Sequence, residues 1–171
     1  MVGIDIVDLN DPLLKERDQR MLNLVKNEND TIVDHPCLFW ILWSAKEAIF
    51  KYHREPISFA PTKIPITLLK KGEVLTFESN NIKGKFEFGD EYLLAVCGDF
   101  NEVTYQIFSK KNNDWRSGIR EMIVEFFNEK GKEYSVGADD LNLPIIEPAK
   151  SAISISHHGR FGAVAFSSSL I

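Results

Sequence analysis

Residues 35–53 read HPCLFWILWSAKEAIFKYH. Leu38, Leu42, Ala45, Ile49 and Tyr52 recur at steps of three and four, which draws one apolar stripe along an α-helix. Asp34 or His35 can cap its start, Pro36 suits the first turn, and Pro56 stops it. Glu47 and Lys51 are four residues apart and so share a face; Lys46 adjoins them and Trp43 lies one turn back. An exposed Glu–Lys pair in this order stabilises a helix by about 0.2–0.5 kcal/mol and needs no function. A carboxylate and two lysines beside bulky aromatics also suit a metal-bound phosphate ligand.

Upstream of this helix, residues 2–7 (VGIDIV) read as a buried strand starting almost at the first residue. Asp5 is its one charged residue, and a carboxylate in such a strand is costly unless paired, hydrogen-bonded or bound to metal. A second helix is expected over 12–26, followed by a turn over 30–35. Downstream, ISF, KIPITLL, VLTFE, GKFEF, YLLAVC and EVTYQIF alternate as short strands between residues 57 and 108. The polar break KKNND at 110–114 divides a half spanning 1–110 from a smaller half spanning 111–171. A helix over 114–131 follows, with Ile119, Ile123, Phe126 and Phe127 as its apolar face and Gly131 at its end. The chain closes with a hairpin, ISISHHGRFGAVAFSS, turning at His158–Arg160. GDEYLLAVCGD (89–99) and HGRFGAVAFSS (158–168) echo each other as turn, aromatic, small apolar strand.

Composition narrows the function classes. Hydrophobic residues make up 44% of the 171 and charged residues 26%, enough to bury a core. A formal net charge of -5 argues against a general nucleic-acid binder, while leaving room for a small basic pocket. The acidic start MVGIDIVDLND is unlike a secretory signal, and the longest apolar run, Cys37–Trp43, is too short to cross a bilayer. Cys37 and Cys97 sit in apolar contexts as expected of reduced, buried thiols, so a cytoplasmic protein is expected. A Ser-His pair among Ser154, Ser156, His157 and His158, taken with Asp5, would suggest a hydrolase triad, but the absence of a G-x-S-x-G turn argues against it.

In their order along the chain, Gly3-Ile4-Asp5-Ile6-Val7, Trp43-Ser44-Ala45-Lys46-Glu47-Ala48-Ile49-Phe50-Lys51 and Ser154-Ile155-Ser156-His157 resemble the 4'-phosphopantetheinyl transferase family. The resemblance implies an α+β fold with an antiparallel sheet packed on long helices. The GIDIV form followed by Asp8 looks like the small holo-acyl-carrier-protein synthases, single units that assemble as trimers. The larger type, named for activating surfactin synthetase, holds two such units, with its Ser-His hairpin before GID. Here the hairpin comes last, yet joining Ile171 to Met1 would restore that order, which implies two pseudo-repeated halves in rearranged order.

The resemblance further implies an enzyme that moves the 4'-phosphopantetheine arm of coenzyme A (CoA) onto a serine of an apo acyl or peptidyl carrier protein. Adenosine 3',5'-bisphosphate is the by-product, and fatty acid or polyketide biosynthesis the setting. Asp5 and Glu47 would hold Mg2+, or Mn2+, and Glu47 would take the serine proton. Lys51 would pair with the pyrophosphate. Lys46, His157 and Arg116 would join Lys51 in contacting CoA. Basic residues Lys15, Arg17, Arg20 and Lys26 are the candidates for docking an acidic carrier. A monomeric pseudo-dimer or a homo-oligomer fits, with no nucleic acid or membrane partner. Two departures stand out: Val7 where the larger type has a further carboxylate, leaving Asp8 or water to complete the metal shell, and Asn142-Leu143-Pro144 near its Gly-Lys-Pro. They support the alternative of a non-catalytic member that binds a carrier protein or CoA.

Overall fold

In the computed structural model, which describes residues 1–11, 19–55, 57–110, 118–131 and 133–171, strand β1 (Val2–Asp8) is buried along its whole length. That explains its nearly unbroken apolar sequence: both of its faces are covered. Val7 belongs to the core shared with the Trp-rich helix, while Val2, Ile4 and Ile6 pack on Phe161, Ala163 and Ala165 of the C-terminal hairpin.

Of the helix expected over 12–26, residues 12–18 lie outside the described residues. The described part is α1 (Gln19–Asn23), and the chain turns at Leu24–Val25, short of Lys26. The Trp-rich helix is α2 (Leu38–His53). It begins later than residue 35 because His35 makes a turn of its own: its Nδ1 accepts the Cys37 N–H at 3.1 Å and its carbonyl accepts that of Leu38 at 3.0 Å. Arg54, in the left-handed region at φ 53°, ends α2; Pro56 lies outside the described residues.

Strands β2 (Thr67–Lys71), β3 (Val74–Ser79), β4 (Ile82–Phe88) and β5 (Tyr92–Gly98) join β1 in an antiparallel sheet ordered β1-β5-β4-β3-β2. No strand forms at 57–59; Phe59 instead packs its ring against Trp43 and Phe50 of α2. Helix α2 covers one face of the sheet through Ile41, Leu42, Ala45, Ala48 and Ile49.

Strand β6 (Val103–Ser109), helix α3 (Gly118–Asn128), a small sheet of β7 (Ser135–Ala138), β8 (Pro144–Glu147) and β9 (Ser151–Ala152), then β10 (Ser154–His158) and β11 (Phe161–Ser167) complete the chain. The small sheet replaces what the sequence suggests is a loop. The C-terminal sheet is ordered β10-β11-β6, also antiparallel, so β6 pairs with the C-terminal hairpin and the change of sheet falls in the turn at 99–102, ahead of residue 110. Val164 and Phe166 of β11 face Ile123 and Phe127 of α3. The result is an α+β stack: α2, the five-stranded sheet, the three-stranded sheet, α3. In each larger sheet the first strand pairs with the last, and the last with the one before it.

Candidate active site

Helix α2 lies tightly against strand β1 at Gly3. A Cβ there would collide with the backbone carbonyl of Ala48, so glycine is what lets the helix lie on the strand. Two residues on along β1, the approach brings Lys51 to Asp5. The Lys51 Nζ donates to Asp5 Oδ1 at 3.2 Å and pairs with Glu47 Oε1 at 3.0 Å. Both carboxylates thus meet at one ammonium. Trp43, a turn earlier on α2, donates its Nε1–H to Glu47 Oε2 at 2.9 Å and fixes that side chain.

The hairpin supplies the remaining wall. β10 runs parallel to the free edge of β1 and satisfies its N–H groups with side chains instead of carbonyls. Ser154 Oγ accepts from Ile4, Ser156 Oγ from Ile6 and His158 Nδ1 from Asp8, at 3.1, 3.3 and 3.1 Å. An open strand edge is thereby closed. Ser156 Oγ also donates to Asp5 Oδ1 at 2.7 Å.

Asp5 is only 3% exposed, and its Oδ2 has no hydrogen-bond partner among the described residues. Burial pushes its carboxyl up to about 7 against the pull of Lys51, and the charge of Glu47 adds to the rise. Burial acts to lower the Lys51 ammonium, but Asp5 and then Glu47 overcome it and hold it above the usual lysine range. His157 is exposed on β10; partial burial of its ring, then the charges of Lys51 and His158, bring it below the ordinary histidine value. Asp5, Glu47 and Lys51 thus meet directly, and His157 lies near enough to feel the charges of Lys51 and Glu47.

Lys46, expected among the CoA contacts, has another task. Its side chain is fully buried and its Nζ is spent on Asp30 at 2.8 Å and on the carbonyls of Pro61 and Ile64. Asp30 in turn accepts the Ile66 N–H, so Lys46 ties the chain before α2 to the chain after it. Asp8, expected as a reserve metal ligand, is fully buried and committed to Arg160. That guanidinium grips both carboxylate oxygens at 2.9 and 3.0 Å, and the Arg160 and Asn10 N–H groups bind them too. Burial alone would raise Asp8, but the Arg160 bonds outweigh it and hold the carboxyl below its usual value. No local pattern pointed to Arg160; it follows Gly159 in the hairpin turn, and its partner is far away in sequence. Arg116, with Lys15 and Arg17, lies outside the described residues.

A model of the 4'-phosphopantetheinyl transferase superfamily matches residues 1–97. The chain belongs to that superfamily. The matched stretch includes β1 and α2, with Asp5, Glu47 and Lys51, and runs to Cys97 in β5. The Ser-His hairpin lies beyond it. No curated protein and no solved structure matches the chain significantly. Membership carries phosphopantetheinyl transfer in general, hence CoA and a carrier protein as partners in general. Among the described residues, no helix is long and apolar enough to cross a membrane.

Proposed function

We propose that the protein transfers the 4'-phosphopantetheine arm of CoA to a serine of an apo acyl or peptidyl carrier protein, dependent on Mg2+ or Mn2+, and releases adenosine 3',5'-bisphosphate. The observation that carries this reading is the meeting of Asp5 and Glu47 at Lys51.

The residues present fit a magnesium ion. Magnesium favours a few hard oxygen ligands and keeps several waters. Asp5 offers a buried carboxylate oxygen without a hydrogen-bond partner among the described residues, and Glu47 a partly exposed carboxylate beside it. These two would hold the metal. When bound, it would neutralise pyrophosphate charge and stabilise the charge that develops on transfer.

The chain's own residues do the rest. Lys51, 21% exposed and flanked by both carboxylates, binds a pyrophosphate oxygen as a compact point charge. Glu47, oriented by Trp43, accepts the carrier serine proton directly or through a water. His157 contacts the 3'-phosphate from the opposite wall, with Arg116 as its candidate companion. Ser156 orients Asp5.

The fold supports two pseudo-repeated halves, because each larger sheet closes its first strand against its last. We place their junction in the turn at 99–102. The hairpin lies along β1 of its own chain, which supports a monomeric pseudo-dimer.

Incubation with CoA, Mg2+ and an apo acyl or peptidyl carrier protein tests the proposal. A phosphopantetheine mass gain on the carrier is expected, and its absence across both carrier classes rejects it. One observation favours the alternative of a member that only binds its carrier or CoA. Val7 is buried and apolar, and Asp8 is saturated by Arg160, so neither adds a third carboxylate to the pair.

A further inference from the structure

Lys51 sits where a cation joining Asp5 and Glu47 would sit. Its Nζ lies 3.2 Å from an oxygen of one and 3.0 Å from an oxygen of the other. Asp5 is buried, so without a cation its charge and that of Glu47 would face each other across a poorly solvated gap. The ammonium removes that cost. A lysine has a flexible four-carbon stem, and this one keeps 21% of its side chain exposed, so its head group has somewhere to go.

We propose that Lys51 is the protein's built-in substitute for the metal: it neutralises the carboxylate pair in the empty site and must be displaced for the divalent ion to enter. The inference rests on the transferase reading above and deepens it. The displaced ammonium is freed beside the site, where the pyrophosphate arrives. Metal and anionic substrate then favour the same state of the side chain, one by replacing it and the other by receiving it. Affinities for the two are coupled through Lys51, and reciprocally so. An empty enzyme therefore holds metal weakly by itself, although both carboxylates are already in place.

The test is a titration of the whole protein with Mn2+ alone, without CoA, following free Mn2+ by electron paramagnetic resonance. Lys51→Met removes the competing charge and is expected to tighten Mn2+ binding by about tenfold or more. Lys51→Gln is the second variant, keeping a polar head group should the methionine disturb folding; it should move in the same direction. Lys51→Arg keeps the charge and should bind as weakly as the parent. Adding Glu47→Gln to Lys51→Met should abolish the gain. Equal or weaker binding in both neutral variants overturns the inference, as does a gain that survives Glu47→Gln. Absence of Mn2+ binding in every variant also overturns it. Carrier modification with CoA and Mg2+, measured separately on the parent protein, reports on the transferase reading itself.

Discussion

Strand β1 carries two buried aspartates three residues apart, and they have opposite fates. Asp8 points to the hairpin turn, where Arg160 and two backbone N–H groups occupy both of its oxygens. Asp5 points to α2, and Lys51 of that helix shares one of its oxygens with Ser156 of β10 while the other has no partner among the described residues. The pleat decides which way each faces, since residues an odd number apart lie on opposite sides of a strand. Burial tends to raise both carboxyls. It loses at Asp8, where the bonds are complete, and wins at Asp5, which rises to about 7. A saturated carboxylate holds the fold together; an incompletely satisfied one is kept ready for a ligand.

Exchanging each carboxylate's means of support should separate the two roles. The largest effect is expected from Asp5→Asn, which keeps the shape and the Ser156 contact but removes a metal ligand. Carrier modification should fall on the order of a thousandfold, read as the rate of phosphopantetheine mass gain, with the near-UV circular dichroism unchanged. Parent-like turnover would remove Asp5 from the reaction.

Next comes Arg160→Ala. It strands the Asp8 carboxylate, whose side chain has no solvent exposure, and removing one partner of such a pair is destabilising. The urea midpoint should drop accordingly. Because Asp8 is held low, its share of stability is present at neutral pH and is lost as pH falls through its depressed value. The gap between parent and Arg160→Ala should therefore close in strong acid. A gap that persists there would mean that Arg160 acts by something other than charge.

Asp5 obeys the opposite sign. The folded protein holds its proton up to about 7, whereas an ordinary aspartate releases it near 3.8. Between those values the folded state binds more protons than the unfolded one, so stability declines as pH rises. Asp5→Asn cannot ionise and escapes the decline. Without metal it should match the parent near pH 4 and become progressively more stable than the parent as pH rises to 7. Unfolding by urea across that range would show it, and a constant difference would refute it. The same aspartate would then cost stability while serving chemistry.

The part of this contrast that could be read from the chain is the Asp5 side. A strand with one acid in it and a helix with Glu47 and Lys51 one turn apart are local patterns, whereas the close approach between them at Gly3 emerges only in the fold. The Asp8 side could not be read that way. Arg160 lies 152 residues from its partner, and an arginine in a polar turn is indistinguishable from a solvated one. Lys46 misled for a related reason. It stands in the motif beside Glu47, yet helix geometry turns neighbouring residues about 100° apart, and Lys46 points inward to Asp30. The β7–β9 sheet escaped because its strands are short and β8 starts with a proline, which suggests a loop.

The smallest effect concerns how firmly Glu47 is aimed. Trp43 donates to one of its oxygens while Lys51 pairs with the other, so the two neighbours set the carboxylate's rotation about its last bond. Trp43→Phe keeps an aromatic ring against Phe39 and Phe59 but loses the N–H. Glu47 is partly exposed and water can replace that donor, so stability should change by about 1 kcal/mol or less. Turnover depends on the carboxylate being held in one orientation, and it should fall several-fold with little change in the KM for CoA. An equal rise in KM would instead place Trp43 in substrate binding. An unchanged rate would leave the Lys51 contact sufficient to aim Glu47, and the tryptophan's part would be packing alone.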